Sequence, residues 1–323
     1  MSRLVGRATL TGLAERVNLL GYRAGWSLVR RLPPRLAYAA FDLLADVAWK
    51  RRGKGVERMR SNYATVRPEL GRAELDALVR AGMRSYLRYW CDSFRLPDCS
   101  IDDLVRRVRV SGDGPVRAQL QAGRSAVMFV GHLGNWDLGG AWSTTQLAPV
   151  TTVAERLKPE ELFDEFLAFR EGLGMRIIPL TGGNDVFREL LKACRSGALI
   201  ALLADRDLTN GGIEVDFCGE RAKMAVGPAA LAVMTGAALH PCLFHYERDP
   251  QGHGWKTVVT FHDAVPVPAE GTSREKIQVM TQACADALSQ EVREHTHDWH
   301  MMQRVFTKDL DSDHAPEQFG RAR

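Results

Sequence analysis

Ser125-Ala-Val-Met-Phe-Val130, followed by Gly131-His132-Leu133-Gly134-Asn135-Trp136-Asp137-Leu138-Gly139-Gly140, decides how this chain is read. The short apolar run, rich in Val and Phe, predicts a buried strand. A histidine and an acid follow at its C-terminal end, where open α/β sheets bind their ligands. On a regular helix turning about 100° per residue, His132 and Asp137 would point well apart. Gly134 and Asn135 supply a bend between them. With the turn folded back, Asp137 is expected to accept a proton from one imidazole nitrogen and leave the other free as a base. No serine or cysteine accompanies the pair, so the base is expected to activate a hydroxyl brought by the substrate.

A His-x4-Asp spacing is unspecific alone, and what surrounds it carries the reading. Gly131 to Asp137, then Ala204-Asp-Arg-Asp-Leu-Thr209, Gly212-Ile-Glu-Val-Asp-Phe217, Met224 to Gly236 and Asp298-Trp-His-Met301 together resemble the bacterial lysophospholipid acyltransferase superfamily. Within it they resemble the lipid A acyltransferase branch, and most closely the phosphatidylinositol mannoside acyltransferases of actinobacteria. The resemblance spans roughly residues 15 to 308. It implies transfer of a long acyl chain, such as palmitoyl, from acyl-CoA to a sugar hydroxyl of a membrane glycolipid, with acyl-CoA a co-substrate and no further cofactor. It also implies that Glu155 and Arg170 line the acceptor or thioester side of the pocket, and that an acid of the second motif assists His132. Asp205 takes the matching position, where relatives can carry Glu, and Glu214 is the second candidate.

Outward from the motif, Pro149–Val153, Arg176–Leu180 and Ala198–Leu203 are predicted strands, alternating with helices over Pro159–Gly172 and Asn184–Ser196. That alternation predicts an α/β fold with a largely parallel central sheet flanked by helices. In a parallel sheet, Asp205-Arg206-Asp207 emerge beside His132. Arg206 then becomes a cation available for anion binding. Arg221 and Lys223 stand just before an apolar helix predicted over Val226–Leu239, where cations beside a helix N-terminus suit the phosphates of coenzyme A or of a phospholipid. Apolar residues of that helix, Leu231, Val233 and Met234, are candidates to flank an acyl groove. Val108–Val110, Cys242–Tyr246 and Trp255–Phe261 are further predicted strands, Pro115–Gln121 a short helix and Ser273–Thr296 a long one, with an acidic turn near residue 98.

The 323 residues, 45% hydrophobic and 25% charged, suit one globular acyltransferase domain over 1–310, with an α/β core at 98–308 and a polar, disordered tail at 311–323. The net charge of +4 is unevenly spread: residues 1–60 hold thirteen Lys or Arg and four acids, so the remainder carries −5. These cations interleave with apolar residues in two amphipathic stretches broken at Pro33-Pro34. Charges interrupt both before the eighteen or so apolar residues of a membrane span. The expectation is a helical hairpin lying on an anionic membrane surface, on the cytoplasmic face of the inner membrane; a hairpin packed on the domain is the alternative. No nucleic-acid motif accompanies the basic residues. Six cysteines without Cys-x-x-Cys spacing suit a reducing compartment, and the histidines at 240, 245, 253, 262, 295 and 314 are not grouped in sequence as metal ligands. His297 and His300 flank Trp299 near the end. Acylation of a lipid A precursor and non-catalytic lipid binding are the competing readings of the whole chain.

Overall fold

The computed structural model describes residues 27–155, 160–180, 185–207, 211–251 and 254–310. The predicted tail at 311–323 and most of the first amphipathic stretch lie outside them. Ala126–Val130 forms strand β2, every residue buried. It pairs in parallel with β5 (Leu199–Leu203) on one side and β8 (Ala238–Arg248) on the other. With β1 (Val108–Ser111), β3 (Val150–Glu155), β4 (Arg176–Leu180) and β9 (Trp255–Phe261), these strands form a sheet of order β1-β9-β8-β2-β5-β3-β4. The run from β8 to β4 is parallel, as the alternation predicts. β9 returns antiparallel to β8 through a short hairpin, and β1 pairs in parallel with β9.

Successive residues of β2 serve two cores, because strand side chains alternate between faces. Val127 and Phe129 join Ile200, Leu202, Leu239 and Leu243 on one face. There the sheet is covered by helices α3 (Arg72–Arg95), α8 (Asp185–Arg195), α9 (Gly227–Thr235) and α10 (Ser273–Glu294). Met128 and Val130 join Leu199, Cys242, Phe244 and Phe261 on the other, under α6 (Trp136–Gln146) and α7 (Glu160–Gly172).

Several elements depart from the sequence expectation. The acidic turn near residue 98 is instead followed by helix α4 (Ile101–Arg107), started by a capping box in which the Ser100 hydroxyl accepts from the Asp103 amide and the Asp103 carboxylate accepts from the Ser100 amide. The apolar helix expected to reach Leu239 stops at Thr235, since Gly236 takes a left-handed conformation and Ala238 opens β8. β6 (Ile213–Phe217) pairs with an unforeseen β7 (Glu220–Met224) through a Cys218-Gly219 turn with positive φ at both residues. The second amphipathic stretch is helix α1 (Pro34–Arg51), with Pro34 at its first position. It is followed by α2 (Lys54–Val66). α1 buries Ala37, Phe41 and Ala45 while Leu36, Leu43 and Leu44 stay more than half exposed. Among the described residues no helix is long and apolar enough to cross a membrane.

The connection from β2 to α6 is set by Gly134, whose φ is +60°. A Cβ there would also lie 2.8 Å from the backbone carbon of Phe244. Left-handed backbone at a non-glycine residue costs about 1–3 kcal/mol before any collision is added. Gly134→Ala is therefore expected to lower unfolding stability by at least that range in urea titrations.

Candidate active site

His132 lies just beyond β2, and Asp205 just beyond the adjacent β5, where the Ala204 amide donates to the Val130 carbonyl. Parallel pairing thus brings the two side chains together. Asp205 Oδ1 lies 2.6 Å from His132 Nδ1, while Oδ2 accepts from the His132 amide at 2.8 Å and from Trp299 Nε1 at 3.0 Å. The carboxylate is fully buried. Burial alone would raise its pKa, but the imidazole and these hydrogen bonds hold it below the ordinary carboxylate value. With Nδ1 facing a carboxylate, the proton belongs there and Nε2 keeps its lone pair.

Asp137 does not meet His132. In the first turn of α6, it accepts from the Tyr89 hydroxyl at 2.7 Å and from Arg170 Nε and a terminal guanidinium nitrogen at 2.9 and 3.2 Å. The turn is fixed instead by Asn135, which caps α6 by accepting from the Leu138 amide at 2.9 Å, so helix α6 departs with Asp137 directed at α3 and α7. Tyr89 also stacks on Trp136, with ring centroids 4.2 Å apart, and Trp136 presents an edge to His132 at 5.5 Å. Asp137 thereby anchors the wall beside the base.

The segment after α10 forms a strap over this turn. The His300 amide donates to the His132 carbonyl at 2.7 Å, the Gly134 amide to the Asp298 carbonyl at 2.9 Å, and Trp299 bridges Leu133. Buried Asp298 accepts from the Ser85 hydroxyl at 2.5 Å and from the Tyr246 amide at 2.7 Å. Sequence reading missed Tyr89 and Ser85, and quoted Asp298 within the closing motif without assigning it a role. Tyr89 lies in a helical run of apolar and aromatic residues that reads as core packing, and its position offers no sign of the acid it meets.

The other candidates separate into two groups. Glu155 and Arg206, at the ends of β3 and β5, approach each other at 3.5 Å on the same sheet edge. Arg170 reaches a narrow apolar cavity of about 70 Å³ beneath α6, whose lining includes Met128, Val130, Leu199, Cys242 and Phe244. The β6–β7 residues lie elsewhere. Arg221 is held by Asp216 at 3.0 Å and Glu214 at 3.5 Å, Lys223 stands opposite Glu214 in register, and the Glu214 carbonyl accepts from Gln278 of α10. Glu214 is thus not the acid beside His132, and the Arg221 charge is already occupied by carboxylates. Nor does α9 flank the cavity, since Leu231 packs on the opposite face of the sheet.

His245 and His295, distant in sequence, meet beside Glu291, with one possible ligand atom from each within 4.8 Å. Their rings stack at 3.7 Å and 9°. Parallel stacked rings cannot both aim an in-plane lone pair at one ion, so the arrangement is a histidine pair hydrogen-bonded to a carboxylate, with His245 Nδ1 at 2.5 Å from Glu291.

An imidazole held by a buried acid at the C-terminal ends of parallel strands, with no serine or cysteine hydrogen-bonded to it among the described residues and a mostly apolar cavity under the adjoining helix, is an arrangement that suits acyl transfer to an acceptor's own hydroxyl. Comparison with known proteins agrees. Residues 14–308 match the family described as bacterial lipid A biosynthesis acyltransferase. The chain is 40% identical over 308 residues to the phosphatidylinositol mannoside acyltransferase of Mycolicibacterium smegmatis, covering 95% of this chain and 96% of that protein. It is 41% identical over 292 residues to the protein of the same name from Mycobacterium tuberculosis, covering 90% and 88%. The chain belongs to the bacterial lipid A biosynthesis acyltransferase family and is an acyltransferase.

Asp137→Ala leaves Arg170 without its partner, a change expected to lower stability by about 3–5 kcal/mol in chemical denaturation. The strap gives a pH signature. Burial pushes the His300 imidazole from 6.5 down to about 3. The unfolded chain therefore binds the extra proton between those values, so stability is expected to fall as pH drops from about 6.5, by up to about 1.4 kcal/mol per unit for this group. His300→Gln should flatten the dependence measured by urea unfolding between pH 7 and 4; His295, also lowered by burial, retains part of the slope.

Proposed function

We propose that the enzyme transfers a long acyl chain, palmitoyl above all, from acyl-CoA to a mannose hydroxyl of phosphatidylinositol mannoside. The observation that carries the mechanism is the His132–Asp205 pair with its Nε2 free. The names of the relatives support the acceptor. In this reading Nε2 takes the acceptor's hydroxyl proton as the oxygen attacks the thioester carbonyl. Asp205 favours the imidazolium so formed. The positive N-terminal end of α6, starting four residues after His132, favours the tetrahedral oxyanion. Collapse expels the coenzyme A thiolate, which recovers the proton from His132, leaving an ester and a free thiol. The cavity beneath α6 receives the acyl chain and widens around it, its lining being mostly apolar with Asp137 and Arg170 as its charged residues.

The enzyme works from the membrane surface. Leu36, Leu43, Leu44 and Val47 of α1 are 58%, 65%, 54% and 38% exposed. Arg31, Arg35, Lys50 and Arg51 flank them, a combination that suits insertion into an anionic leaflet from the cytoplasmic side.

With radiolabelled palmitoyl-CoA and a panel of glycolipids, label is expected in phosphatidylinositol mannoside. Label entering only a lipid A precursor, or only when an acyl carrier protein is the donor, would overturn the assignment. Asp205→Asn and His132→Ala should remain folded and lose about 10²- to 10⁴-fold in turnover, the usual contribution of a general base. Leu43→Glu with Leu44→Glu should release the protein from anionic vesicles in flotation assays while leaving its melting temperature unchanged.

A further inference from the structure

Between α1 and the β8–β9 hairpin runs a groove of about 940 Å³. Its wall carries Arg35, Arg84, Arg88, Arg248 and Trp255, and its one acid among the described residues is Asp42. Arg84 is already held by Asp46. Arg88 is different. It is 8% exposed, its Nη1 is buried with no hydrogen-bond partner, and no carboxylate pairs with it among the described residues. Its guanidinium instead lies over the Trp255 ring at 3.6 Å and the Tyr246 ring at 4.9 Å. Arg248 stacks on Trp255 as well, at 3.9 Å. Two cations thus share one indole.

An arginine cannot shed its charge by losing its proton, and a buried charge without a counter-charge is strongly unfavourable. Ring faces offset only part of that. The arrangement is explained when an anion enters the groove and takes the free N–H groups, and arginine's planar fork suits phosphate oxygens. We propose that the groove binds the phosphodiester of an anionic membrane lipid, with Arg88 at its base and Arg35 and Arg248 at its rim. The lipid source follows from α1, whose groove-lining face, Arg35 and Tyr38, adjoins the face that exposes Leu36 and Leu43. A phosphate seated here leaves the acyl tails beside apolar side chains. This source rests on the membrane reading of α1, whereas the anion chemistry does not.

The test compares flotation with phosphatidylcholine vesicles that contain or lack phosphatidylinositol. The wild type should bind the phosphatidylinositol vesicles more tightly. Arg88→Gln should remove about tenfold of that preference, the size of one charge-assisted hydrogen bond, with a melting temperature equal to or above wild type because an unpaired buried charge is gone. Arg35→Gln with Arg248→Gln, at exposed positions, should reduce the preference without touching the fold. An undiminished preference in both variants would overturn the site. A lower melting temperature for Arg88→Gln with unchanged lipid preference would make Arg88 a packing residue only. A soluble arm titrates coenzyme A and inorganic phosphate while following tryptophan fluorescence. Quenching by either that disappears in Trp255→Phe, without phosphatidylinositol preference on vesicles, would overturn the lipid source.

Discussion

The buried carboxylate of Asp205 is the interaction on which the site depends. Its two oxygens accept from the His132 ring, the His132 amide and the Trp299 indole, so one group fixes the backbone after β2, the tautomer of the base and the position of the C-terminal strap. Such a group is unfavourable to bury unless its hydrogen bonds are satisfied. Here the parallel pairing of β2 with β5 delivers the partners, because adjacent strands end at the same level and their next residues face each other. The pairing of the imidazole with its acid is a consequence of sheet register before it is a consequence of any local motif.

The strap makes that register specific. Trp299 and Met301 are buried, and the Trp299 and Met301 carbonyls accept from Tyr63 and Asn62 of α2. The loop bearing His132 is thus clasped by a segment more than 160 residues later, which in turn is held by a helix near the start. Long-range clasping of this kind fixes the backbone at His132 from outside its own strand, and the proposed proton transfer needs such positioning.

The sheet was legible because its central strands β2 and β5 are continuous apolar runs and strands alternate with helices along the chain, and β4 spans the expected Arg176–Leu180. Two things were opaque. Local spacing suggested His132 and Asp137 as a pair, but Asn135 caps the helix so that Asp137 turns toward Tyr89 and Arg170, residues on helices that no window around the motif contains. The β7 strand, Glu-Arg-Ala-Lys-Met, alternates so few apolar residues that only its pairing with β6 identifies it. Asp205 was read as one of two acids. What distinguishes it from Glu214 is that it directly follows a strand adjacent to β2, whereas Glu214 lies within a separate hairpin.

The acids of the core are divided by the partner each receives. Asp137 faces arginine, whose charge is permanent, and Asp92 is bound by Arg107, Tyr38 and Tyr246. Such pairs brace α3 against α6, α7 and β8. Asp205 faces histidine, the one common side chain that gains and loses a proton near neutrality. Exchanging the two would place a fixed cation at the sheet edge and leave no base there. A carboxylate on its own therefore does not mark the reactive centre of this fold. Its partner decides its character, and at the ends of β2 and β5 a fully buried acid, Asp205, receives a titratable one.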